Sequence, residues 1–269
     1  MKKTINYILA AVAVFAAASC QKFETVKNVE ETNAPVRTLT AVFEEGSKTT
    51  ASSDGETTYA IWAEGDVIRV MDTEEHAANH TVADGEISED GKKVTFDVPA
   101  EVTGEQIYAI HGDNAATTSN AGVISFTIPA TQDGTFNTAN ICVAKADENG
   151  TLTFKNATAI VHITNPQTAG GNTPNTLTFT SSNGIVGDAT ATFDPDFAIA
   201  CTGNIIQPFT ITSDNSSDEF YFAIAAGTYS SIIAQNNNGK KSLTIKDNIS
   251  IVRSKIYTID ASKISFKNN

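Results

Sequence analysis

Two histidines four residues apart, His76 and His80, with Glu74 and Glu75 beside them, form the first arrangement in this chain that could do chemistry. On a helix that spacing would put both imidazoles on one face, as a metal site needs. Asn79, Asp84 and Gly85 instead mark a surface loop or hairpin tip, and no Glu stands between the histidines as in zinc hydrolases, so no metal site is expected. Asp84-Gly85-Glu86, Asp147-Glu148-Asn149-Gly150 and Asp194-Pro195-Asp196 carry oxygen ligands. None alternates them over the roughly twelve residues of a calcium loop, and they read as turns in which Asp and Asn cap their own backbone. No Gly-x-Ser-x-Gly elbow occurs, and no glycine-rich piece follows a strand and opens a helix. His111 and His162 fall in or beside strands, where a structural histidine is the expectation. No catalytic residue and no cofactor is expected.

The chain has 3 cysteines. Cys142 and Cys201 lie in apolar segments and read as buried thiols acting as small hydrophobes, with an exported disulfide as the alternative. Cys20 is different. Lys2 and Lys3 precede an apolar run, Ile8 to Ala18, that is too short to span a bilayer. The sequence Ala17-Ala18-Ser19-Cys20 then resembles the lipobox of bacterial lipoproteins. The resemblance implies diacylation of the Cys20 thiol, cleavage before it and acylation of its new amine. A thiol is required there because sulfur is the nucleophile that takes the lipid. Two or three acyl chains hold a protein on a membrane far more firmly than one, at about 0.8 kcal/mol per buried methylene. Residues 1–19 are therefore expected to be a lipoprotein signal peptide. Residues 20–36, polar and without a sustained apolar period, are expected to be an acylated tether. Glu24, Glu30 and Glu31 behind Cys20 loosely resemble the surface-export signals of Bacteroidetes lipoproteins, interrupted by Lys22 and Lys27.

The elements that must carry these residues are short and β-prone. The 269 residues have a net charge of −13, and the signal region takes Lys2 and Lys3 with it. So acidic a body argues against nucleic acid as a partner and against docking on anionic lipid by charge; it favours solubility outside the cell. Thr38-Leu39-Thr40-Ala41-Val42-Phe43 alternates polar and apolar. Val67 to Met71, Val94 to Val98, Gln106 to Ile110, Val123 to Ile128, Ile141 to Ala144, Leu152 to Phe154 and Ala157 to Ile163 continue the series between turn signals. The Pro/Gly/Asn/Thr cluster from Asn165-Pro166 to Pro174 suggests a domain boundary. Beyond it, further runs end with Lys255 to Ile259. The spacing predicts an all-β chain of two consecutive antiparallel β-sandwich domains, residues 37–166 and 174–269.

Several segments together resemble the fimbrillin-like family of Bacteroidetes surface lipoproteins. Val36-Arg37-Thr38-Leu39-Thr40-Ala41-Val42-Phe43 is near the family's opening of an arginine followed by a strand. Ile61-Trp62-Ala63-Glu64-Gly65-Asp66-Val67-Ile68-Arg69-Val70 is similar to its tryptophan–x–x–glycine–aspartate core. Ile124 to Gln132, Val143 to Ala146, Leu152 to Val161 and, more weakly, Phe220 to Ile224 extend the likeness over most of residues 36–260. The resemblance implies transthyretin-like sandwiches. It implies a subunit, anchor or tip of a cell-surface fimbria (pilus) that supports adhesion and is delivered to the outer membrane as a lipoprotein. It also implies other fimbrial subunits as partners, in a homo- or hetero-polymer, with the host surface or other bacteria as adhesion targets. In polymerising members an arginine-specific protease cuts before the first strand, and a strand of the next subunit fills the groove left when that strand is removed. Arg37 and Thr38 match such a processing site. Ile264 and Phe266 alternate beyond the last expected strand and could supply two apolar plugs, though over a short reach. The alternative is a non-polymerising surface lipoprotein that binds glycan or protein ligands. The single tryptophan, Trp62, reads as core and so weakens a sugar platform.

Overall fold

Many of the strands are rich in β-branched and aromatic residues, and a strand with one wet face alternates apolar with polar side chains, as Lys93–Asp97 does. The computed structural model describes residues 37–44, 52–53, 58–59, 61–164, 176–181, 184, 186–201, 209–212, 219–229, 232–235, 241–245 and 249–260. Cys20, the tether and the segment with Ile264 and Phe266 lie outside the described residues.

In chain order the strands are β1 (Thr38–Phe43), β2 (Ser52–Ser53), β3 (Thr58–Tyr59), β4 (Val67–Asp72), β5 (Ala77–Thr81), β6 (Lys93–Asp97), β7 (Ile107–His111), β8 (Thr117–Thr118), β9 (Ile124–Ile128), β10 (Thr131–Gln132), β11 (Cys142–Lys145), β12 (Thr151–Asn156) and β13 (Ala159–Thr164). They continue as β14 (Thr176–Ser181), β15 (Gly187–Thr192), β16 (Ala198–Cys201), β17 (Phe209–Thr212), β18 (Glu219–Ile224), β19 (Gly227–Tyr229), β20 (Ile232–Gln235), β21 (Lys241–Ile245), β22 (Ile249–Ile251) and β23 (Ile256–Asp260). A single helical turn, α1 (Phe136–Ala139), and a 3-10 turn at Asp84–Glu86 complete the described elements.

The largest sheet has the order β5-β4-β7-β11-β12-β1-β6. Its strands divide into two kinds. In β6 and β12 buried residues alternate with exposed or half-buried ones, so one face meets a core and the other meets water. All five residues of β7 are buried. Ile107 and Ala109 enter one core, with Ile68, Val94, Leu152 and Phe154. Tyr108 and Ile110 enter a second, with Ile124, Phe126, Val161 and Phe222. The middle of the sheet thus separates two cores, whereas β12, β1 and β6 close only the first.

Three of the sheets are mixed and the others antiparallel: β1 runs parallel to β12, β13 to β23 and β10 to β17. Strand pairing also runs across the boundary expected at 166–174. β13 pairs with β18 and β23, and β9 pairs with β15. Residues Val36–Asn269 form one compact unit in which the second core draws on both sides of that stretch. The physical reason is that β9 and β13 have inward faces (Ile124, Phe126, Ile128; Ala159, Val161, Ile163) that β7 and β11 alone cannot cover.

Candidate functional site

The strand that follows Arg37 is inserted between two others. β1 pairs in parallel with β12, from Thr40↔Thr151 to Phe43↔Phe154, and antiparallel with β6, from Thr38↔Asp97 to Val42↔Lys93. The ladder is extended at both ends. Val98 N–H donates to the Arg37 carbonyl at 2.7 Å, Thr40 N–H to the Gly150 carbonyl at 3.0 Å, and Glu44 N–H to the Phe154 carbonyl at 2.8 Å. Gly150 adopts φ +77, and a Cβ there would stand 2.8 Å from the Thr38 carbonyl oxygen, so the turn before β12 needs glycine in order to pass β1.

The inward face of β1 is apolar. Leu39 and Ala41 are buried, and Phe43 packs beside them. The Phe43 ring stacks on Trp62 with centroids 4.3 Å apart and lies 5.9 Å from Phe154. Trp62 is itself buried and meets His111 and Phe154 edge-on. It therefore belongs to the core, as its sequence context suggests, and offers no exposed platform for a sugar.

Charged groups hold the two ends of β1. At the start, the Arg37 guanidinium donates to the carbonyls of Gly104 and Val102, and Thr38 Oγ1 donates to Asp97 Oδ1 at 3.1 Å. The Gly104 loop is fixed in turn by Asp72 at the end of β4. Gly104 N–H donates to Asp72 Oδ2 at 2.7 Å, the Glu74 and His76 amides donate to Oδ1 at 2.9 and 3.0 Å, and His76 Nδ1 lies 3.0 Å from Oδ2. Burial alone would raise the Asp72 pKa; the hydrogen bonds from Gly104, His76 and Glu74 outweigh it and hold the carboxyl below its ordinary value. At the far end, Glu44 lies 3.5 Å from the Arg253 guanidinium and 4.0 Å from Lys155 Nζ. Both cations also sit over the Phe197 ring, at 4.6 and 5.2 Å from its centroid.

The other residues singled out by sequence are occupied locally. His80 Nε2 lies 2.8 Å from Glu86, and its ring stacks on Phe96 at 4.2 Å, so His76 and His80 serve different carboxylates. His111 is buried, with Nδ1 donating to the Val67 carbonyl at 3.0 Å; burial lowers its pKa and keeps the ring neutral. His162 stacks on Tyr221 at 4.3 Å and reaches Glu219 at 3.1 Å. Cys142 is a buried thiol that donates to Asn140 Oδ1, and burial pushes its pKa far up, which makes it a poor nucleophile. Cys201 donates to the Asp188 carbonyl across β15, and no disulfide joins the two. A cleft of about 620 Å³ between Gly112–Thr117, Ser125–Pro129 and Asp188–Thr190 carries Asp113 and Asp188, but Asp113 is committed to the amides of Ala115 and Thr127 and Asp188 to the Thr127 hydroxyl.

Comparison with known proteins yields structural likenesses only. No family model matches the chain, and no curated protein matches it. Among solved structures it is similar to a protein ascribed to cell adhesion from Bacteroides ovatus, at 13% identity and a TM-score of 0.46 over 87% of this chain and 96% of that one. It is similar to a fimbrial assembly protein from Parabacteroides distasonis, at 12% identity and a TM-score of 0.39 over 87% of this chain and 100% of that one. It is also similar to the tip fimbrial protein Mfa3 from Porphyromonas gingivalis, at 8% identity and a TM-score of 0.38 over 86% of this chain and 98% of that one.

Proposed function

We propose that this chain is a structural or accessory subunit of a cell-surface fimbria, held at the outer membrane through lipidated Cys20, and that the slot occupied by β1 is its assembly site. The role is mechanical and adhesive, not catalytic. What supports the reading is a single arrangement. The first described strand is flanked on both edges, contributes one apolar face to one core, and is entered through an arginine. A strand so placed leaves a ready-made template of backbone donors and acceptors if it departs, and a strand from another chain can satisfy them.

Cleavage at Arg37–Thr38 would part the lipid anchor from the body, but β1 would stay joined to Glu44. The cut frees one end of β1 and does not by itself remove it. Departure of β1 is then a matter of the strength of its seat. Immunogold labelling of cells carrying the intact chain tests the role. Label along, at the base of or at the tip of surface filaments is expected, and Cys20→Ala is expected to abolish surface label. Surface label that never coincides with filaments contradicts the proposal.

A further inference from the structure

The two ends of the β1 slot differ in charge, and its floor differs in size along its length. Where Arg37 lies there are the Val102 and Gly104 carbonyls, with Asp97 one position on. Where Glu44 lies there are Lys155 and Arg253, and Glu44 is the carboxylate paired with each of them among the described residues. When β1 leaves, it takes both Arg37 and Glu44 out of the slot. One end is then bare of its cation and rich in oxygen, and the other carries two cations without their carboxylate. Between the ends, Leu39 and Ala41 are almost wholly buried, at 3% and 0% exposure, and Phe43 lies on Trp62.

We infer that this slot selects its occupant by a charge-and-size code: a strand of another chain, parallel to β12, that carries a cation at the place of Arg37, an aliphatic residue at 39, alanine or glycine at 41, an aromatic at 43 and a carboxylate at 44. The inference rests on the strand-exchange reading and adds the chemistry of the partner strand. Coulomb interaction and like-charge repulsion at half-buried sites fix register and exclude wrong partners more than they add affinity. A one-residue slip turns the apolar set outward, while a two-residue slip keeps it inward but moves the carboxylate away from Lys155 and Arg253.

The code excludes the chain's own alternating segment, Lys263-Ile264-Ser265-Phe266-Lys267. With Phe266 at the place of Phe43, Ile264 falls where Ala41 is fully buried and Lys267 falls beside Lys155 and Arg253. Moving the segment by two residues in one direction puts Phe266 at the place of Ala41; in the other it puts Ser262 there, but then Asp260 falls at the buried place of Leu39, Ile264 at that of Phe43 and Ser265, without a carboxylate, at that of Glu44. A larger side chain in a filled core forces strained rotamers and backbone shifts, and a charged or polar one in place of Leu39 is left without a partner. The slot therefore takes a strand from a different protein or a β1-like strand, not residues 261–269 of a second copy.

The test uses the full chain carrying Ala41→Asp, which places a charge in the core and expels β1, with Leu39→Ala as the milder variant if the first does not fold. Trp62, the single tryptophan, reports the slot. Three synthetic strands are added: the sequence 36–45 with bromophenylalanine at the place of Phe43, the same strand with its Glu44 changed to Lys, and the sequence 260–269 with bromophenylalanine at the place of Phe266; the second is also added to the chain that carries Lys155→Glu/Arg253→Glu as well. Expected is quenching of Trp62 by the first strand at concentrations at least ten-fold below those needed for the second, restoration of the second by the charge-reversed chain, and no quenching by 260–269. Equal quenching by the first two strands, or quenching by 260–269 at the same concentration as the first, overturns the code while leaving strand exchange standing. No quenching by any strand overturns both.

Discussion

β7 and β1 lie in the same sheet with β11 and β12 between them, and they are held in different ways. β7 is buried over its whole length and feeds both cores, so nothing can replace it without opening the molecule. β1 feeds one core through Leu39, Ala41 and Phe43, while Thr38, Thr40 and Val42 lie on its other face. Its ends are fixed by side chains: Arg37 on two carbonyls, Glu44 between two cations. A strand with one apolar face and polar ends can be specific without being permanent. That combination suits a site of exchange, whereas β7 has the build of a permanent scaffold.

The contrast can be broken most strongly in β7. Ile110→Ala removes a buried side chain that reaches the second core and should cost about 2–5 kcal/mol, read as a lower urea midpoint with an unchanged m-value; a loss confined to β1 protection would contradict the assignment. Leu39→Ala should cost about 2–4 kcal/mol, but mainly through the seat of β1, so Trp62 emission should shift red well before the far-UV signal changes. Gly104→Ala places a Cβ 2.8 Å from the Asp72 carboxyl and should cost about 1–3 kcal/mol. Because Gly104 also holds Arg37, an arginine-specific protease should cut Arg37–Thr38 faster in this variant than in the parent chain, with Arg253 as the internal reference. Glu44→Gln should change stability least, by under about 1 kcal/mol, because its pairs are half-exposed and loose; a larger loss would mean that the end pairs hold β1 down as well as fixing its register.

Acid sharpens the same comparison. Asp72 is held below the ordinary carboxylate value of about 3.9. Its contribution is complete above that value and is lost as pH falls through the depressed one, because the unfolded chain binds the proton first. The urea midpoint of the parent chain should therefore drop as pH is lowered below about 4, and Asp72→Asn should flatten part of that slope. An unchanged slope would mean that the Gly104 loop does not depend on this carboxylate.

Much of β1 is legible from its residues alone. The alternation Thr38 to Phe43 gives both the strand and its inward face, and Trp62 announces a core position by its apolar neighbours. The partners of β1 are not legible. Arg37 meets Gly104 across 67 positions, Gly104 meets Asp72 across 32, and Arg253 meets Glu44 across 209, and no local pattern marks contacts made by folding. The pairing of β9 with β15 and of β13 with β23 escapes a linear reading for the same reason. A Pro/Gly/Asn-rich stretch such as 165–174 signals a break in the elements, but which strands then share a sheet is decided by the faces left to cover. The metal-like spacing of His76 and His80 dissolves once each imidazole is seen beside its own carboxylate.

Native-state hydrogen exchange tests the central claim most directly, by comparing the amides of β1 with those of β7 in the same full-length chain. If β1 is a separable strand, its amides should exchange through a local opening at a free energy clearly below that of global unfolding, while those of β7 exchange only globally. Equal protection of both strands, at the global value and with the same denaturant dependence, would show that β1 leaves only when the molecule unfolds, and would contradict the account.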